Sequence, residues 1–310
     1  MRNSHSKRLF EKTALAGLRP SQSDSNFAWK AACLALAAAI LLGSALLSAQ
    51  AQSPGAAGIA APAWQVRSLD APKWFEDMGP RSLVLDVAGR PHVAYGGDHL
   101  YYAWFDGALW QQAVVDASPG AGRFAALDLD AAAAPHFLYY DAVRHAVRHA
   151  TRDGIGWRTE TVQAGVTLDA PLGFALDAVG APHAAYRDAA TGAIIYAYPS
   201  GSTWVHETIG YATGGAVDLA LDSSDTQHIV YGAGALFHVY PGQSDWVTQT
   251  VDAAGVMAGR SLALDSIGSP QIAYTGANAG GRAELRLARL TRAGWLVRTM
   301  RTSAIGPTTG

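Results

Sequence analysis

Four histidines, His92, His136, His183 and His228, each stand six residues after an aspartate: Asp86, Asp130, Asp177 and Asp222. A fifth aspartate, Asp265, is followed at that place by Gln271. A ring of imidazoles would be a candidate for holding a metal ion, and a ring of carboxylates for moving protons. A metal ion needs its ligands within about 2.1 Å. Side chains one strand out from an axis, at about 4.8 Å per strand, sit on the order of 10 Å from their counterparts. Gln271 keeps a hydrogen bond but replaces a metal ligand or a base poorly. The histidine row therefore reads as satisfied imidazoles between neighbouring units, with no metal and no cofactor expected. Each aspartate begins a turn, where a carboxylate bonds nearby backbone N–H groups. A tyrosine follows every aspartate at nine residues (Tyr95, Tyr139, Tyr186, Tyr231 and Tyr274) and reads as packing. A catalytic residue is needed once, whereas a packing residue is needed in every unit.

Chemistry is therefore expected where the units differ. The first join, residues 70–81, holds Lys73, the only lysine after residue 51, beside Trp74, Phe75, Glu76 and Asp77. Trp74 is suited to stack on a sugar ring, and the two acids to bond its hydroxyls. A plug or an additional edge strand is the plainer role for the same residues. Short variable hairpins carry Asp98 and His99, Asp141 to His145, Arg187 and Asp188, residues 232–234, and residues 275–282. Arg187 and Asp188 form the best polar pair there, with a surface ion pair as their plain reading. An inverting glycosidase needs two carboxylates roughly 6.5–9.5 Å apart. Asp77 and Asp188 are available for that role, but nothing selects them. Glutamate is scarce in the body (Glu76, Glu160, Glu207, Glu284), and no Gly-rich phosphate loop or nucleophile elbow is present.

The elements that position these residues come from one repeated frame. The aspartates are spaced 44, 47, 45 and 43 residues apart, and each unit closes on a tryptophan: Trp110, Trp157, Trp204, Trp246, Trp295. Seven residues before each tryptophan stands Ala103, Ala150, Ala197, Val239 or Ala288. A near-continuous apolar first strand, an Asp-x-x-Gly-x-Pro turn, an alternating second strand, a third strand and a Trp-led fourth strand make up each unit. Four strands per unit of about 45 residues, in tandem, are the signature of a β-propeller blade. The expected blades are residues 82–115, 124–162, 172–209, 216–251 and 260–300, with the propeller spanning 64–300 and a tail at 301–310.

The frame Leu-x-Leu-Asp-x-x-Gly-x-Pro-His-x-Ala-Tyr resembles the propeller repeats of exported bacterial proteins. It is distantly similar to sialidase-type propellers, although their Asp-box, Ser-x-Asp-x-Gly-x-x-Trp, is missing at that spacing. The resemblance implies a propeller with ligands bound on loops, and it implies no single activity. Trp64 to Leu69 looks like a further fourth strand ahead of the first unit. Two closures stay open: five full blades with that strand outside them, or an incomplete six-bladed ring.

Residues 1–51 resemble an export signal, with six Lys/Arg against two Asp/Glu, an apolar run from Ala31 to Ala49 and a small-x-small end at Ala49-Gln50-Ala51. An uncleaved membrane anchor is the alternative, and residues 52–63 read as linker. Beyond residue 51 the balance is 17 basic against 23 acidic residues, a net of −6, which disfavours nucleic acid and anionic lipid. One cysteine, Cys33, excludes a disulfide scaffold. The function expected is an exported binding module for a glycan or an envelope protein. A polysaccharide hydrolase or lyase on the same scaffold, or a fragment of a larger propeller, are the alternatives.

Overall fold

The computed structural model describes residues 78–154 and 156–303. Blade 1 contains β1 (Leu83–Leu85), β2 (Pro91–Gly96), β3 (Leu100–Phe105) and β4 (Trp110–Asp116). Blade 2 contains β5 (Arg123–Leu129), β6 (Pro135–Asp141), β7 (Ala146–Arg152) and β8 (Trp157–Ala164). Blade 3 contains β9 (Gly173–Leu176), β10 (Pro182–Arg187), β11 (Ala193–Ser200) and β12 (Thr203–Tyr211). Blade 4 begins with β13 (Asp218–Leu221), β14 (Gln227–Tyr231) and β15 (Gly234–Pro241). Its fourth strand is the first half of β16 (Trp246–Leu264), whose second half is the first strand of blade 5, followed by β17 (Pro270–Ala277), β18 (Ala283–Thr291) and β19 (Gly294–Thr302). Strands pair antiparallel in chain order, so each blade is a meander, and the fold is an all-β propeller.

The join expected between the last two blades is thus continuous strand, which merges them into one seven-stranded sheet. Register shifts between Val256 and Arg260, where Gly255 and Gly259 take φ of 69° and 92° and turn the chain. β19 also runs through Arg301 and Thr302, past the expected end of the last blade.

Each first hairpin is built by its aspartate. Asp86 Oδ1 accepts the N–H groups of Ala88 and Arg90 at 2.9 and 2.8 Å. Asp130, Asp177, Asp222 and Asp265 accept the same two N–H groups, two and four residues on. The residue three after the aspartate is left-handed in every blade: Gly89, Ala133, Gly180, Asp225 and Gly268, with φ between 58° and 82°.

Alternation along the strands places large side chains against the next blade. Ala103, Ala150, Ala197, Val239 and Ala288 are fully buried, and the apolar clusters lie at the seams. One seam gathers Ala94 and Tyr102 of blade 1 with Leu127, Phe137 and Tyr139 of blade 2. Phe174, Tyr186 and Ala197 of blade 3 pack on Leu138 and Val162 of blade 2 in the same way. Burial on both faces was expected of every first strand, and β1 departs from it. Leu127, Phe174, Leu219 and Leu262 are buried, but their counterpart Leu83 is 52% exposed and Leu85 is 58% exposed. Only blade 1 has no described blade ahead of it to cover that face. At the axis, Arg81, just before β1, places its Nε 3.2 Å from Asp218 Oδ1 on β13, so the first and fourth blades meet there.

Candidate functional site

Trp74, Phe75, Glu76 and Asp77 lie outside the described residues, as do the segments read as export signal, linker and Trp64–Leu69 strand. The repeated rows are all in place. The imidazoles bond within their own blade rather than between blades, because each third-strand partner is the diagonal cross-strand neighbour of its histidine, opposite the residue two further along the second strand. His92 Nδ1 meets the Tyr102 hydroxyl at 2.5 Å, and His183 Nδ1 meets that of Tyr196 at 2.5 Å. In blades 2 and 4 the partner is a second imidazole: His136 with His149 at 3.1 Å, His228 with His238 at 3.0 Å. His149 continues to Glu160, and His238 to Gln249. Burial, reinforced by the neighbouring imidazole, pushes His136 and His238 down to about 4. In blade 5, Gln271 coincides with Leu287 at the partner place. Sequence reasoning missed the partner row; its signal is a Tyr or His one residue before each small third-strand residue, lost together with the histidine. Among the described residues no three His, Cys, Asp or Glu side chains group in a way that could hold a metal ion.

The tyrosines bridge seams. The Tyr139 hydroxyl donates to Asp116 Oδ2 at 2.6 Å and that of Tyr274 to Asp252 Oδ2 at 2.7 Å; Tyr186 donates to Gln163. Arg148 and Arg286 join the two acids at 2.8 and 2.7 Å. Burial would raise the Asp116 carboxyl, but Tyr139, Ser118 and Arg148 outweigh it and hold it below its usual value.

The hairpin residues proposed for binding are mostly committed to local structure. Asp98 accepts from His99 and the Tyr101 hydroxyl at 3.1 and 3.0 Å. Asp141 is fully buried, taking the N–H groups of Val143 and Arg144 and the Arg144 guanidinium. Arg187 and Asp188 do not form the expected surface pair. Both are buried, and neighbours on a strand point to opposite sides. Arg187 Nη2 instead grips both oxygens of Asp169 at 2.6 and 2.5 Å. Asp188 accepts from Thr167 N, Ala190 N and the Thr191 hydroxyl, closing its own hairpin.

That hairpin and the following join enclose an open cleft of about 460 Å³, lined by Arg187, Ala189, Ala190, Thr191, Gly192, Tyr211, Ala212 and Thr213. Tyr211 is 70% exposed. Arg187 is 5% exposed, and its Nε has no hydrogen-bond partner. No Asp or Glu lines the cleft. Tyr211, Thr213 and Asp169 escaped sequence reasoning because each occurs once, in a join, with no periodic signal.

Comparison with solved structures returns a mutant of AofleA from Arthrobotrys oligospora, with TM-score 0.50, 10% identity and 74% of each chain covered. The SapL1 lectin in complex with alpha methyl fucoside gives TM-score 0.50 and 13% identity over 74% of this chain and 82% of that one. A fucose-specific lectin from Aleuria aurantia gives TM-score 0.48 and 12% identity over 71% and 76%. At such identities the likeness concerns the fold. No family model matches the chain, and no curated protein matches it in sequence.

Proposed function

We propose that this protein is an exported glycan-binding propeller, and that the cleft of blade 3 is a sugar site. The observation that carries this reading is the lining. An exposed tyrosine ring, two threonines and a largely buried arginine line the cleft, with no carboxylate among them. Aromatic faces and fixed donors suit hydroxyl-rich rings, whereas glycosyl hydrolysis needs a carboxylate pair. Asp169 and Asp188, the acids nearest in the chain, are engaged by Arg187 and by the hairpin. The volume fits one or two sugar residues on the scale of small-ligand sites, about 300–1,000 Å³.

Methyl fucoside, the ligand of the SapL1 structure, is the first probe, followed by a glycan array. Tyr211→Ala is expected to weaken capture at least tenfold, the equivalent of about 1.4 kcal/mol. Its melting temperature should stay unchanged, because the ring is largely exposed. Undiminished capture by this variant removes the cleft as the site, and release of new reducing ends from a polysaccharide would favour the enzyme reading. Trp74→Ala in the same assay reports on the first join.

A further inference from the structure

Each of the first four blades offers acceptors to the blade that follows it. Three residues after their own tryptophans, Glu207 and Gln249 take the indole N–H groups of Trp246 and Trp295 at 2.7 and 3.0 Å. Six residues after it, Asp116, Gln163 and Asp252 accept the tyrosine hydroxyl of the next blade. Third-strand rings complete the seam: Tyr196 meets Trp246 edge-on at 5.1 Å, and His238 meets Trp295 at 5.3 Å.

Blade 5 has the same face with the opposite chemistry. Arg298 stands three residues after Trp295 and Arg301 six after it, Leu287 replaces the ring, and Arg289 stands where blades 1, 3 and 4 have Trp104, Tyr198 and Tyr240. The register Leu287↔Arg298, Arg289↔Leu296 and Leu285↔Arg301 puts three arginines and three leucines on one face. The arginines are exposed and form no hydrogen bond or ion pair among the described residues. A guanidinium only donates. The indole N–H of a further blade of this repeat would face a donor, and its tyrosine hydroxyl would lose its acceptor, so the face is not built as another such seam.

Charge follows the same division. Residues 260–303 hold seven arginines against two acids, whereas residues 78–259 hold eight basic against eighteen acidic residues. Arg298 and Arg301 are about 10 Å apart along β19, at about 3.3 Å per residue. Arg289 is the diagonal neighbour of Arg298, about 7–8 Å away. Guanidiniums on so wide a base suit charges repeated along a chain better than one small anion. No aromatic ring lies among the residues in that register for a nucleobase to stack on, while the leucines give the C–H faces of sugar rings an apolar floor.

We infer that this face of blade 5 is a docking surface for an acidic polysaccharide, whose carboxylate or sulfate groups are held by Arg289, Arg298 and Arg301. The choice of a polysaccharide rests on the glycan-binding reading above; the site itself shares no residue with the cleft of blade 3.

The test is binding of the full-length protein to immobilised polygalacturonate and dextran sulfate, beside methyl-esterified polygalacturonate and plain dextran. The two acidic polymers separate carboxylate from sulfate. At least one should bind, more weakly as salt rises, and the neutral forms should not. Arg289→Gln, Arg298→Gln and Arg301→Gln combined should lower that binding at least about tenfold at an unchanged melting temperature, and Arg292→Gln, at the hairpin tip, less than about twofold. Tyr211→Ala should leave it intact while weakening fucoside capture, so either site can fail without the other. Binding to neither acidic polymer, equal binding to the neutral forms, or binding that survives the triple substitution overturns the inference. Equal binding to poly-glutamate or duplex DNA also overturns it, since the face would then attract any polyanion.

Discussion

Neutral imidazoles inside blades 2 and 4 tie the stability of the protein to pH. His136 and His238 are held down to about 4, against an ordinary value near 6.5, by burial first and by the adjacent imidazole second. Below pH 6.5 the unfolded chain binds protons that the folded chain refuses, so stability is whole above that pH and drains as pH falls toward 4. Each histidine accounts for up to about 3 kcal/mol across that window. The melting temperature should fall between pH 6.5 and 4, and more gently in His136→Gln, which copies the choice made at Gln271. An equal slope in the variant would place the pH dependence elsewhere. The seam acids titrate lower, because Asp116 and Asp252 are both depressed by tyrosine and arginine partners against the opposing effect of burial. Tyr139→Phe should cost about 1–2 kcal/mol in urea unfolding, the loss of one hydrogen bond to a buried charge. Asp116 keeps Arg148 and Ser118 N in that variant. The rows were legible because they recur every 43–47 residues. The partner row was harder to read because it alternates Tyr102, His149, Tyr196 and His238. The cleft was illegible because Tyr211 and Asp169 have no counterparts to set them off.

At the scale of the element, the hairpins show where repetition tolerates strain. Ala133 takes φ 60°, where three other blades have glycine. A non-glycine residue there costs about 1–2 kcal/mol, and glycine adds back about 0.5–1 kcal/mol in unfolded-chain entropy. Ala133→Gly should therefore stabilise by about 0.5–1 kcal/mol, seen as a higher urea midpoint with an unchanged slope. Gly173 argues the opposite way. A Cβ at that position would come within 2.6 Å of Leu219 N and 2.8 Å of Leu219 Cβ, where β9 approaches β13. Gly173→Ala should force the first strands of blades 3 and 4 apart and cost about 1–3 kcal/mol, the usual penalty of overpacking. Strand order and turn chemistry could be read from the Asp-x-x-Gly-x-Pro frame. The merging of two blades through β16 could not, since Gly255 and Gly259 look like loop glycines until their register with β17 is known.

For the molecule as a whole, protection should follow the number of covered faces. Amides of β1, beside exposed Leu83 and Leu85, should exchange with deuterium well before those of β9 and β10, whose blade is packed on both sides. Uniform protection along the five first strands would contradict this gradient. The cross-axis pair of Arg81 and Asp218 couples distant parts of the chain, and Asp218 also accepts Leu262 N at 2.7 Å. The continuous strand from Trp246 to Leu264 has a mechanical meaning. Three of the four crossings between blades are irregular and could yield one blade at a time under tension. β16 bonds to β15 along one half and to β17 along the other, so a pull that strips one partner loads the next. Stretched between two beads, blades 4 and 5 should rip loose together, lengthening the tether about twice as far as any single blade, at about 3.5 Å per residue.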